Sequence, residues 1–138
     1  MKARVSLLEG VSFAGTADSG HRVVMDGPPE FGGQNKGTRP MEMLLIGLGG
    51  CSAFDVVHML RKARLDMTGC EVEIEAERAP DVPKVFTRIH MHFVISGTNI
   101  PESRVRRAVE LSAEKYCSAA LMFSKVAQVT HDYEIIEV

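Results

Sequence analysis

The sequence predicts an α+β protein with the element order βββ-α-ββ-α-α-β, and three observations carry that reading. Short strand-like segments divided by glycine turns open the chain. A long apolar stretch follows a loop dense in glycine and proline. Two later segments then alternate apolar and charged residues with a period of two.

Residues 2–8, 11–16 and 21–26 form the opening strands, separated by Glu9-Gly10 and by Asp18-Ser19-Gly20, which suggests a meander. Residues 27–40 hold too much glycine and proline for a regular ladder and are expected to be a functional or mobile loop. Pro40 suits a first helical position, with Thr38 or Arg39 near the cap. The helix beyond it, from residue 41 to near 65, is apolar or small on nearly every side over residues 43–54. Such a segment is expected to be buried all round, with Gly47, Gly49 and Gly50 admitting another backbone, as from a partner helix.

Residues 70–77 alternate strictly, with Cys70, Val72, Ile74 and Ala76 on one face and four glutamates on the other. Residues 85–96 do likewise, with Arg88, His90 and His92 on the wet face, so the two segments are expected to form a hairpin with opposite charges facing. Asn99-Ile-Pro101 opens a helix reaching about residue 116, with Val105, Ala108, Val109 and Leu111 on its inner side. Cys117 sits at its end. A short helix over 118–125 and a strand over 127–138 complete the chain.

The 138 residues, 45% apolar and 25% charged, fit one globular domain spanning 1–138. A net charge of −2 supplies no basic field for phosphate backbones, so nucleic acid is not an expected partner. No apolar run is read as reaching the roughly 18 to 20 residues that span a bilayer and the start lacks a signal-peptide pattern, so no membrane association and a cytoplasmic location are expected. There is no glycine-rich phosphate loop, CxxC, GxSxG or HExxH, and no cofactor or metal is expected. His90 and His92 form an HxH pair without further histidine or cysteine ligands nearby. His21, His58 and His131 read as isolated.

Three cysteines remain. Cys70 points inward with Val72 and Ile74 and reads as core. Cys51 lies in the apolar helix after two glycines and Cys117 ends the next helix; either can be packing or a nucleophile. A peroxide-reactive thiol must ionise, and Arg39 and Arg22 are candidate cations. A sulfenic acid on Cys51 is protected when a second thiol condenses with it, which Cys117 can do only if the fold brings the two Cα atoms within about 7 Å.

Arg39-Pro-Met-Glu-Met-Leu-Leu-Ile-Gly-Leu-Gly-Gly-Cys51, followed by Ser52, resembles the proline, apolar helix, glycine and cysteine signature of the OsmC/Ohr family. Glu114-Lys-Tyr-Cys-Ser-Ala-Ala120 resembles the family's resolving-cysteine segment. Met1-Lys-Ala-Arg-Val5, Ser19-Gly-His21 and Met25-Asp-Gly27 add likeness to its YhfA-like branch. The resemblance implies an intertwined homodimer with sheets wrapped around central helices. It also implies reduction of organic hydroperoxides by Cys51, a disulfide with Cys117, and regeneration by a thiol or dithiol reductant. The family's glutamate directly follows the proline; here Met41 stands there, and Glu42 is the candidate acid one residue later. A non-catalytic dimer that binds a small apolar ligand, with structural cysteines, is the alternative.

Overall fold

A computed structural model describes residues 1–138, and the chain divides into two compact units, Met1–Ile46 and Gly47–Val138. Strands β1 (Ala3–Glu9), β2 (Ser12–Ala17) and β3 (Arg22–Asp26) form the first unit's antiparallel sheet in that order. The expected meander is therefore present. It is thinly covered: every residue of β1 is exposed, including Val5 and Leu7.

The glycine-rich segment after β3 is tied down by one carboxylate. Asp26 is buried, and its oxygens accept the amides of Gly27 at 2.8 Å, Gln34 at 3.0 Å and Lys36 at 3.1 Å. Those amides, led by that of Lys36, hold the Asp26 carboxyl below the usual carboxylate range against the opposing effect of desolvation. Lys36 also reaches Glu9 with its ammonium group. Gly33 and Gly37 let the loop fold back on itself. A Cβ at Gly33 would lie 1.8 Å from the Gly27 carbonyl oxygen, and one at Gly37 would lie 2.3 Å from that of Val24.

Helix α1 (Pro40–Lys62) starts as its residues dictate. Proline fills the first position, where no amide is needed, and the Glu42 carboxylate accepts the Arg39 amide at 2.7 Å, one half of a capping box. The helix is not buried all round. Its own chain buries Leu48, Gly49, Ser52, Val56 and Leu60, while Leu44, Ile46 and Phe54 stay 48%, 55% and 69% exposed. Of the three glycines only Gly49 is closely approached, by the Ile74 side chain; Gly47 and Gly50 face open space. By length and composition α1 is also apolar enough to cross a bilayer, contrary to the expectation above. Its packed residues and the engaged carboxylate of Asp55, described below, give it a role inside the second unit instead.

The rest of that unit comprises β4 (Asp66–Arg78), β5 (Phe86–Thr98), α2 (Glu102–Leu111), a π-helical turn over Ser112–Tyr116, α3 (Ser118–Phe123) and β6 (Gln128–Glu137). Strands β4 and β5 form the expected antiparallel pair, and β6 joins β5 in parallel, with the helices as the crossover. Ile89, Met91, Phe93 and Ile95 of β5, Leu48, Val56 and Leu60 of α1, and Val105 and Val109 of α2 make the core. Each such side chain contributes on the order of 1.5–3 kcal/mol by burial. An exposed pair such as Arg88–Glu77, at 3.5 Å, is worth about 0–1 kcal/mol, so apolar packing dominates.

The wet face shows a pairing the alternation did not reveal. Glu73 and Glu75 stand opposite His92 and His90 in register, yet both histidines turn to β6. One oxygen of Asp132 receives His90 Nε2 at 3.0 Å and His92 Nδ1 at 2.6 Å, and His90 Nδ1 meets Thr130 at 2.7 Å. The Asp132 hydrogen bond, aided by the charges of Asp132, Glu134 and Glu73, raises the His92 pKa; partial desolvation opposes it.

Two outcomes are expected. Asp26→Ala should release the loop, so limited proteolysis within residues 27–39 should accelerate about tenfold or more as three hydrogen bonds to a charged group are lost. The stabilisation by Asp26 is present above the unfolded-state pKa of about 3.9 and lost as pH falls through the lower folded value, so the acid limb of the stability curve should flatten in that variant. For His92 the sign is reversed. Its contribution is complete below the unfolded pKa of about 6.5 and lost as pH rises through the higher folded value. Denaturant midpoints measured from pH 6 to 9 should show this slope in the unmodified protein, and it should be absent in His92→Gln.

Candidate active site

Four positions spaced one helical turn apart, Leu48, Ser52, Val56 and Leu60, form the buried stripe of α1. Cys51 precedes Ser52 and stands about 100° away around the helix, at the border of the stripe, where it is half-buried. Solvent can reach it.

Cys117 is positioned differently. After α2 the helix loosens into a π turn, in which the Cys117 amide donates to the Ser112 carbonyl at 2.8 Å across five residues. The backbone then extends at Cys117 (φ −77°, ψ 101°), which becomes the cap of α3. Its Sγ accepts the Ala120 amide at 3.3 Å. The thiol is fully buried. The sequence placed this cysteine at a helix end but carried no sign of the π turn.

The fold brings the two cysteines together. Cys51 lies near enough to act on the Cys117 thiol, and the hydroxyl of its neighbour Ser52 lies 3.2 Å from Cys117 Sγ. Burial pushes the Cys117 thiol above the ordinary thiol range, while the Ser52 hydroxyl and the Ala120 amide oppose that and the adjacent Cys51 adds to it. Around the pair, Ser112 Oγ donates to an Asp55 carboxylate oxygen at 3.1 Å and lies 3.5 Å from the Ser52 carbonyl. Sequence reasoning missed Ser52, Ser112 and Asp55. A serine next to a cysteine was the only sign of them.

The remaining candidates lie elsewhere. Glu42 caps α1 through the Arg39 amide, and the Arg39 guanidinium donates to Asn35 Oδ1 at 3.3 Å and to the Gly37 carbonyl at 3.2 Å. Arg22 is exposed on β3. Cys70 is half-buried on β4 rather than deep core, and burial followed by the charge of Glu71 raises its pKa. No three histidine, cysteine or acidic side chains converge as metal ligands. A hollow of about 430 Å³ lined by Asp55, His58, Met59, Lys62, Leu111 and Tyr116 opens near the Ser112–Asp55 bond, without a cysteine in its wall.

Comparison with known proteins gives a consistent picture. The family described as OsmC-like protein matches residues 33–132. Protein YhfA of Escherichia coli K12 is 47% identical over 136 residues, covering 99% of this chain and 98% of its own. A hypothetical protein from Aquifex aeolicus is 27% identical and superposes with a TM-score of 0.87, covering 99% and 96% of the two chains. The organic hydroperoxide resistance protein OhrB of Bacillus subtilis shares the fold at a TM-score of 0.62 and 16% identity, covering 97% and 98%.

Proposed function

The chain belongs to the OsmC-like protein family, and from that premise we propose that it is a thiol-dependent peroxidase acting on organic hydroperoxides. One observation carries the proposal: an accessible thiol, Cys51, stands beside a fully buried one, Cys117. The accessible thiol is the one a peroxide can meet. The buried one is shielded from oxidant yet within reach of the product.

In the first step the Cys51 sulfur attacks the peroxide oxygen, the O–O bond breaks, and the alcohol leaves with a proton. In the second, Cys117 attacks the Cys51 sulfenic acid to give a disulfide and water. A thiol or dithiol reductant then restores both thiols by exchange. The name of the Bacillus subtilis protein with this fold agrees with the substrate class and with a role in stress resistance. The bonds of Glu42 and Arg39 within their own loop and cap leave neither with an assigned part in the chemistry.

We further propose a homodimer. Leu44, Ile46 and Phe54 on α1 and the uncovered Val5 and Leu7 of β1 are more apolar surface than a lone chain ordinarily displays. Gly47 and Gly50, open to solvent in the single chain, leave room for close approach.

Cys51→Ser should reduce hydroperoxide consumption to background. Cys117→Ser should allow one sulfenylation and then oxidise on to sulfinic acid with excess oxidant, as mass spectrometry would reveal. Full activity in Cys51→Ser, or two reduced cysteines after a stoichiometric hydroperoxide dose, would favour the ligand-binding alternative. Sedimentation at micromolar concentration should give a dimer; a compact monomer would remove the proposed covering of α1.

A further inference from the structure

We propose that Ser52 is the hydrogen-bond donor for the resolving thiolate, its hydroxyl turning from Met91 Sδ to Cys117 Sγ when Cys117 loses its proton. The inference rests on the reading of Cys51 and Cys117 given above and assigns a residue to its second step.

The geometry is that of a rotor with two partners. Ser52 Oγ lies 3.7 Å from Met91 Sδ and 3.2 Å from Cys117 Sγ, and all three residues are buried, with exposures of 1%, 0% and 0%. A hydroxyl has one proton to give and lone pairs to receive. While Cys117 is a thiol, its S–H can donate to Ser52 Oγ as Ser52 donates to Met91. Once Cys117 is a thiolate it offers no proton, and the arrangement that keeps every group bonded has Ser52 donating to Cys117. The Ala120 amide, at 3.3 Å, already points to the same sulfur. The Ser52 backbone is steadied by the neighbouring Ser112 hydroxyl, which is itself held by Asp55.

A donor is needed there because of burial. Desolvation disfavours the Cys117 thiolate, yet the thiolate is the form that attacks. In the resolving step the Cys117 sulfur bonds to the Cys51 sulfur and the S–O bond of the sulfenic acid breaks. The oxygen leaves with the bonding pair and takes up the proton released by Cys117, departing as water. Cys117 is oxidised and the sulfenyl sulfur of Cys51 is reduced. Both donors raise the fraction of Cys117 present as the attacking thiolate at a given pH.

The test follows the two steps separately after a single equivalent of tert-butyl hydroperoxide. Rapid quenching into a dimedone-type probe reads the sulfenic acid, and mass spectrometry reads the disulfide. In Ser52→Ala the ratio of the second rate to the first should fall about tenfold, as expected for loss of one hydrogen bond to a charged group, and the pH midpoint of disulfide formation should move upward. Ser52→Thr, which keeps the hydroxyl, should restore both. Met91→Leu conserves volume and leaves Cys117 as the hydroxyl's remaining partner of the two, so its pH midpoint should move downward. Met91→Leu decides the matter even if Ser52→Ala does not fold. An unchanged ratio and pH midpoint in Ser52→Ala, or an unchanged or raised midpoint in Met91→Leu, overturns the role of Ser52. Absence of a Cys51–Cys117 disulfide in the unmodified protein overturns the pairing of the cysteines and the role of Ser52 with it.

Discussion

One buried position per turn along α1 sets the arrangement of the second unit. Leu48, Ser52, Val56 and Leu60 press on the core, so the helix has little rotational freedom about its axis. Rotation by a single position would drive Cys51 into the core and pull Ser52 out. The accessible thiol and the buried hydroxyl are therefore consequences of one packing requirement. Three of the four stripe residues are apolar and hold the helix; the fourth, Ser52, is the polar one, and its hydroxyl meets Cys117.

The second cysteine depends on an irregularity. An α-helix continued unbroken from Glu102 would present residue 117 about 100° away from where a π turn leaves it, since the π turn inserts one residue into the winding. At the start of that turn the Ser112 hydroxyl donates to Asp55, and the Ser112 carbonyl accepts the Cys117 amide. The parallel pairing of β6 with β5 requires a crossover, and this crossover carries Cys117 back to α1.

Much of this was legible in the chain. Strict alternation specified β4 and β5, and their register sets Glu75 against His90 and Glu77 against Arg88, as opposite charges on the wet faces implied. The start of α1 followed from Pro40. Other features depend on contacts between residues far apart in sequence, which periodicity does not encode. Asp26 read as the last residue of a strand, yet its carboxylate organises amides eight and ten residues on. The parallel direction of β6 leaves no mark on a two-residue period. Nor could an apolar run reveal how much of α1 its own chain would cover: composition records the demand for burial and not who meets it. Ser52 was legible only as part of a motif, because the sulfur it meets lies 65 residues away in the chain.

The order β4-β5-β6 leaves β4 as an edge strand, and edges recruit other strands. Its alternating glutamates at positions 71, 73, 75 and 77 act as a barrier to that recruitment. A second β4 laid alongside in antiparallel fashion with the same face outward would set carboxylate against carboxylate along the shared length, which disfavours the pairing. Arg88, which pairs with Glu77, lies on the inner neighbour β5, and the histidines of that strand turn to β6. The same pattern that makes β4 easy to recognise in the sequence thus also protects the sheet against aggregation through that edge.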